Sequence, residues 1–154
     1  MKYSIQLITV TIALMLSCAT ASAQNAADKI LGVYSVVSDA TKEKAKVKIV
    51  QKGDTYQAQI VWMEKPLDDN GHPRRDILNP DPALRSRTSD KIMLVWDMKY
   101  DRKANEWSGG KIYDPDTGKT YKAVLKFESP TNLKVRGYIG MPAFGRTMNW
   151  KKIE

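Results

Sequence analysis

Cysteine and histidine are almost absent from this chain. Among its 154 residues, Cys18 is the only cysteine and His72 is the only histidine. His72 lies between Gly71 and Pro73, a context that is typical of a turn. The sequence therefore offers neither a catalytic triad nor a histidine-rich metal site, and we identify no catalytic residue, metal ligand or cofactor.

A glycine-rich phosphate loop is also missing. The Gly109-Gly110 pair falls within a predicted strand, where glycine typically marks a bulge or a close approach of two backbones. Two carboxylate pairs, Asp68 with Asp69 and Asp114 with Asp116, could bind a hard cation or act as acid and base. Turn chemistry alone explains aspartate at these positions.

The first residues have the pattern of a secretory signal peptide. Lys2 supplies a positive charge, residues 5–16 form an uncharged apolar run, and Ala21-Ser22-Ala23 is a small-residue cleavage site. The apolar run is short for a membrane span, and no second one follows. We therefore expect residues 1–23 to be removed, which leaves residues 24–154 as a single domain.

Cys18 lies in the segment expected to be removed, so the mature chain would have no disulfide and no thiol. The alternative is a lipoprotein acylated at Cys18. Met15 and Leu16 stand where such signals usually carry a leucine and a small residue. Both alternatives predict export: the protein is periplasmic or secreted, or it is anchored by lipid.

Positive charge is in excess, with 25 Lys and Arg residues against 17 Asp and Glu. Loss of Lys2 with the signal leaves 24 basic residues against 17 acidic ones, a net charge of +7. An exported protein of this charge is expected to meet anionic lipid head groups or acidic glycans rather than nucleic acid. Ordinary solubility is the simpler explanation, because many lysines alternate with apolar residues as on a solvated strand face.

Alternation of polar and apolar residues dominates the rest of the chain. Tyr56, Ala58, Ile60 and Trp62 share one face of such a segment. A period of two predicts half-buried antiparallel strands. We predict eight of them, near residues 30–37, 45–51, 55–63, 91–97, 106–113, 119–127, 132–139 and 146–153.

Most connections between these strands are short. Short hairpins favour an all-β, eight-stranded antiparallel up-and-down barrel over a sandwich, which requires longer crossovers. An eight-stranded barrel is either filled by side chains or holds one small ligand. The residues predicted to point inward are bulky and favour a filled barrel: Tyr34, Trp62, Leu94, Trp96, Trp107, Tyr121, Phe127, Ile139, Met148 and Trp150.

One connection, from about residue 64 to residue 90, is long for a compact domain, and such loops often carry function. We predict that it caps one barrel mouth, with Arg85 and Arg87 bound to carboxylates or carbonyls of the rim and Leu84 directed toward the core. The alternative is an anion or polar-ligand site at the mouth. The polar residues concerned are His72, Asp76, Asn79, Asp81, Arg85 and Arg87.

The segment Asp114-Pro115-Asp116-Thr117-Gly118 joins two predicted strands. Proline presets its own φ, aspartate can bond its own backbone, and glycine can adopt a positive φ. The segment therefore predicts a hairpin turn with Gly118 in the left-handed region.

Four ordered segments carry a family resemblance: NPDPALRSR at 79–87, WSGGKIYDP at 107–115, RGYIG at 136–140 and FGRT at 144–147. Together they resemble the motifs of an exported bacterial family catalogued as domain of unknown function 2147. The resemblance implies a calycin-like barrel related in shape to lipocalins, with no established activity. The residues to which we assign structural roles are Asn79, Asp81, Asp114, Gly118, Arg136 and Arg146.

The first predicted strand departs from the family pattern. Where the family and lipocalins usually have Gly-x-Trp, this chain has Gly32-Val33-Tyr34. A tyrosine can still plug the barrel floor. Stacking of a late arginine, such as Arg146, on that ring is then less expected.

Three functions from different classes fit the sequence. The first, which fold analogy favours, is a non-enzymatic envelope binding module for a small apolar or amphipathic ligand. The second is a filled structural barrel whose basic surface contacts an anionic envelope component, and the third is a hydrolase using loop carboxylates. The ligand-binding residues predicted for the first are Trp62, Trp96, Trp107, Tyr121, Arg85 and Arg87.

Overall fold

The computed structural model describes residues 26–154, so the predicted signal peptide lies outside the described residues. Residues 31–154 form one compact unit, and residues 26–30 belong to another, in which residues 26–28 are helical. Within the described range, no helix is long and apolar enough to cross a membrane.

Residues 31–154 are built almost entirely from β-strands. The strands are β1 (Gly32–Val37), β2 (Lys44–Lys52), β3 (Thr55–Met63), β4 (Met93–Asp101), β5 (Glu106–Ser108), β6 (Lys111–Asp114), β7 (Lys119–Ser129), β8 (Asn132–Tyr138) and β9 (Gly145–Lys152). Three short 3-10 helices, Pro82–Leu84, Ser89–Lys91 and Pro142–Phe144, lie in the connections.

The strands form a closed antiparallel barrel. Apart from β5 and β6, consecutive strands pair with each other, and β9 closes the ring by pairing with β1 through Tyr34 and Lys152. Strands β5 and β6 both pair with β4 and with β7, so they are two halves of one interrupted strand. Counted in this way the barrel has eight strands, and the predicted up-and-down architecture is confirmed.

The interruption between β5 and β6 falls at the Gly109-Gly110 pair, where two backbones come close together. A Cβ on Gly110 would lie 2.2 Å from the carbonyl oxygen of Trp96 in β4. The next residue of β4, Asp97, has a φ of 58°, so the partner strand is kinked at the same level. The predicted close approach of two backbones is therefore confirmed, and it divides the strand predicted over residues 106–113.

A bulge in β3 reverses the inside and outside faces near the end of that strand. Val47 pairs with Ile60, whereas Lys46 pairs with Trp62, so Val61 is an extra residue. Trp62 is consequently 44% exposed, and the Lys46 ammonium lies 5.7 Å from the centre of its ring. The prediction that Trp62 points into the barrel is wrong, because a single-residue bulge shifts the register without changing the sequence pattern.

Large side chains fill the end of the barrel at which the short hairpins 53–54, 102–105 and 130–131 lie. Trp107 is fully buried there, and its ring centre lies 4.9 Å from that of Tyr100, 5.9 Å from that of Phe127 and 6.5 Å from that of Tyr56. Aromatic groups at such distances add to the stabilisation from buried area. We call this the closed end.

Candidate functional site

The opposite end of the barrel, which we call the mouth, is surrounded by the connections 38–43, 64–92, 115–118 and 139–144. Inside it lies a cavity of about 590 Å³. The expectation of a filled or nearly filled barrel is therefore wrong for the half next to the mouth, because the bulky side chains are concentrated at the closed end. Ile139 was predicted to point inward, but it follows the end of β8 and is exposed at the mouth.

The wall of the cavity is mainly apolar. Trp150 is buried at the part of β9 furthest from the mouth, and its ring centre lies 6.3 Å from that of the buried Tyr34. Of these two rings, only Trp150 contributes to the cavity wall. The wall residues are Val36, Ala45, Ile60, Met63, Leu94, Ile112, Tyr121, Met148 and Trp150.

Charged groups of both signs ring the mouth. The Arg74 guanidinium donates to both carboxylate oxygens of Glu43, at 2.6 and 3.3 Å. This hydrogen bonding by Arg74 lowers the pKa of Glu43 below its usual value. Arg146 lies 3.0 Å from the Asp39 carboxylate, and its side chain is 72% exposed. Both ion pairs border the cavity.

The four aromatic residues predicted to bind ligand are not brought together. Tyr121 lines the cavity, whereas Trp107 is packed within the closed end. Trp96 is half-buried and is not part of the cavity wall. Trp62 is largely exposed on the outer surface. The prediction that all four line one interior site is wrong for three of them.

The two arginines predicted at the mouth are also absent from the cavity wall. The Arg85 Nε atom donates to the carbonyl oxygen of Asn79 at 2.7 Å, and Arg87 donates to the Asp76 carboxylate at 2.6 Å. Both arginines therefore bind groups that belong to their own loop. Their predicted carbonyl and carboxylate partners exist, but these partners belong to the loop rather than to the barrel rim.

Asp76 is the centre of a buried polar network. Its carboxylate accepts hydrogen bonds from the Tyr113 hydroxyl at 2.6 Å, from the Asn79 amide at 2.8 Å and from Arg87. Burial, together with the hydrogen bond to Asp76, raises the pKa of Tyr113. Since Tyr113 belongs to β6, this network attaches the long loop to the barrel.

The Asp81 side chain caps the beginning of the 3-10 helix Pro82–Leu84 in the long loop. The Asp81 carboxylate accepts from the backbone N–H of Ala83 at 2.9 Å. Leu84, however, is exposed, and the prediction that it points to the core is wrong. Side chains alternate between the two sides of the chain only in an extended segment, whereas Pro82–Leu84 forms a 3-10 helix.

The Asp114–Gly118 turn meets the same loop. Gly118 has a φ of 70°, and its N–H donates to the Asp114 carbonyl oxygen at 2.8 Å. A Cβ on Gly118 would lie 2.2 Å from the carbonyl oxygen of Leu78. The predicted left-handed conformation is confirmed, and the contact explains why no side chain fits at this position.

Arg136 fixes the connection between β8 and β9. Its guanidinium donates to the carbonyl oxygens of Pro142 and Ala143, at 2.5 and 3.0 Å, and to the Thr147 hydroxyl at 2.6 Å. All four sequence segments that carry the family resemblance thus contribute to the connections around the mouth.

Arg146 takes no part in stacking on the first-strand ring. The cation over Tyr34 is instead Lys152, with its ammonium 5.9 Å from the ring centre. Burial lowers the pKa of Lys152. Tyr34 is fully buried, as expected of a residue that plugs the barrel floor.

A protein-family model described as "Uncharacterized protein conserved in bacteria (DUF2147)" matches residues 32–152. The chain belongs to this family. The DUF2147 chain is similar to a solved structure titled "Protein HP1028 from the human pathogen Helicobacter pylori belongs to the lipocalin family". The two share 26% identity over 81% of this chain and 83% of the other, with a TM-score of 0.67. A search of curated proteins found no match.

The residues that line the mouth were mostly missed by sequence reasoning. Arg74 and Glu43 are 31 positions apart, and neither lies in a recognisable motif. Arg146 belongs to a sequence motif, but only its position just after the β8–β9 connection indicates that it lies at the rim. Within residues 26–154, no group of three or more His, Cys, Asp or Glu side chains is placed to hold a metal ion.

Proposed function

We propose that this protein is a non-enzymatic, exported binding module that takes up a single-chain amphiphile in its barrel cavity. The observation that carries the proposal is the mainly apolar cavity of about 590 Å³ beneath the mouth. Small-molecule sites typically enclose about 300–1,000 Å³ and combine apolar walls with a few polar groups. The lipocalin-like fold supports the same class of function by analogy.

The division between apolar wall and charged rim indicates how such a ligand would lie. An acyl chain against Ile60, Met148 and Trp150 would gain about 0.8 kcal/mol for each buried CH₂ group. Its polar head would remain at the rim, close to Arg146, because a buried head group without partners is costly. Arg146 replaces Arg85 and Arg87 in this role, since only Arg146 of these three borders the cavity.

The proposed location outside the cytoplasm follows from the signal-peptide pattern of residues 1–23. Export would bring the protein to a compartment bounded by lipid, where single-chain amphiphiles are available. Mass spectrometry of the mature protein from its own host tests this: an N-terminus at Gln24 supports a soluble exported form, and acylation at Cys18 supports the lipid-anchored form.

Binding is tested by titration with oleate and with lysophosphatidylcholine below their micellar concentrations. The matched variants are Ala45→Phe, which places a ring in the cavity, and Lys48→Phe, which adds the same ring to the exposed face of β2. We expect saturable binding by wild type and by Lys48→Phe, and a loss of at least about tenfold in Ala45→Phe. Equal affinities in all three proteins would contradict a cavity site.

Tryptophan emission provides the readout, because Trp150 lines the cavity. The emission shift should disappear in Trp150→Phe while calorimetry still detects binding.

The role of Arg146 is tested by Arg146→Gln, which should weaken oleate binding about tenfold or less, as expected for one exposed charge-assisted contact. The binding of a neutral monoacylglycerol should be unaffected.

A further inference from the structure

The β8–β9 connection displays three large apolar side chains at the mouth. Ile139, Met141 and Phe144 are 72%, 61% and 77% exposed. Exposed apolar residues that occur singly are ordinary, but a cluster on one short loop is typical of an interaction surface. We call Ile139, Met141 and Phe144 the apolar loop cluster.

The backbone of this loop is fixed, so the exposure of the cluster is part of the fold. Arg136 holds the carbonyl oxygens of Pro142 and Ala143, and the Phe144 N–H donates to the Met141 carbonyl oxygen at 3.1 Å. A loop held in this way cannot fold its apolar side chains under the rim without losing these hydrogen bonds. The cluster is therefore presented to whatever approaches the mouth.

The cluster is continuous with the cavity. Ile139 and Phe144 border the cavity and are exposed on its rim, as is Val37 at the end of β1. Any partner that covers the cluster also meets the cavity opening. This placement suits a partner that is itself the source or the destination of an amphiphile.

The excess of positive charge on the chain as a whole favours an anionic partner. Arg146 follows Phe144 by two residues and is largely exposed, and Lys42 is exposed in the neighbouring β1–β2 connection. At the rim itself the charges are more nearly balanced: Arg146 is paired with Asp39, Arg74 is paired with Glu43, and Asp116 accepts a hydrogen bond from Ser38 at 2.8 Å. Without Lys2 of the predicted signal peptide, the chain keeps 24 basic residues against 17 acidic ones, an excess of seven positive charges.

We propose that the mouth docks on an anionic lipid bilayer, with the apolar loop cluster inserted at the head-group level and Arg146 beside the lipid phosphates. Apolar side chains and nearby cations act together in binding to membrane interfaces. The docking is inferred from the exposed cluster and the charge of the chain. Its use for transfer of an amphiphile, in contrast, rests on the proposed function.

Vesicle flotation tests the docking with a charge-matched pair of variants. Met141→Glu places a carboxylate in the cluster without touching the cavity wall, and Val61→Glu makes the same charge change at an exposed apolar position on the barrel wall. We expect Met141→Glu to reduce binding to vesicles of phosphatidylglycerol and phosphatidylcholine at least about tenfold. Val61→Glu should bind within about twofold of wild type, and wild type should bind pure phosphatidylcholine more weakly.

Insertion is tested by quenching with brominated acyl chains. Phe144→Trp should add a quenchable tryptophan, and Ile153→Trp, at the opposite end of the barrel, should not.

Absence of vesicle binding by wild type, or equal binding by Met141→Glu and wild type, would overturn the proposal. A wild-type dimer that Met141→Glu converts to a monomer, without vesicle binding, would also overturn it and assign the cluster to a second copy.

The cavity variant separates this inference from the proposed function. Ala45→Phe should lose oleate binding and keep vesicle binding, whereas Met141→Glu should keep oleate binding and lose vesicle binding. If neither oleate nor lysophosphatidylcholine binds in the cavity but Met141→Glu still abolishes flotation, the docking surface is supported and the proposed binding function is contradicted.

Discussion

Gly118 has two separate constraints, a left-handed φ of 70° and a close contact with the Leu78 carbonyl oxygen. A β-branched side chain disfavours the first and collides with the second. We predict that Gly118→Val lowers the free energy of unfolding by about 1–3 kcal/mol from backbone strain, and further through the displaced loop. Chemical denaturation measures the loss.

Gly53 provides the control, because it has a φ of 62° and a Cβ added to it would meet no heavy atom within 4 Å. Gly53→Val should therefore report the backbone strain alone. If Gly118→Val lowers the free energy of unfolding no more than Gly53→Val does, the contact with Leu78 does not constrain this position.

Glu43 should make stability depend on pH through its ion pair with Arg74. Its pKa in the folded protein is lowered from 4.5, so the pair stabilises the fold above about pH 4.5, and this contribution is lost as the pH falls through the folded pKa. We predict that Glu43→Gln lowers the melting temperature at pH 7 and that the difference from wild type shrinks in acid. A difference that is constant from about pH 7 down to about pH 2 would contradict the prediction.

The Asp76 network attaches the long loop between β3 and β4 to the barrel through the Tyr113 hydroxyl. Removal of one partner of a buried ion pair typically costs about 3–5 kcal/mol. We predict that Asp76→Ala releases the loop and speeds tryptic cleavage after Arg85 or Arg87 about tenfold or more, since local opening exposes the chain to protease. Tyr113→Phe, which removes one hydrogen bond to the same carboxylate, should have a smaller effect, and cleavage of Asp76→Ala at the wild-type rate would show that other contacts hold the loop.

At the scale of strands, the period-two pattern predicted the elements well because barrel strands bury one face and expose the other. The errors lie where a local irregularity changes the register. Val61 adds one residue to β3 and turns Trp62 outward, and the kink at Asp97 meets the break at Gly110. The alternation of side chains contains no signal for the bulge at Val61. The glycine pair, in contrast, indicates the break at Gly110 directly.

The cavity could not be predicted from the same pattern, because composition does not say at which end of a barrel the large residues gather. Trp107 and its aromatic neighbours pack the closed end, while the mouth has smaller wall residues such as Ala45. The charged rim was missed for a related reason, since Arg74 and Glu43 meet only after the barrel closes and the long loop folds back.

The two halves of the barrel should therefore respond differently to the same loss of volume. Met98 is fully buried, whereas Met148 is half-buried and faces the cavity. Deletion of packed methionine atoms creates a void and costs about 2–5 kcal/mol, but atoms that already border a void have fewer contacts to lose. We predict a loss in this range for Met98→Ala and a loss at or below its lower end for Met148→Ala, measured by chemical denaturation; equal losses would mean that the cavity is closed by packing in solution.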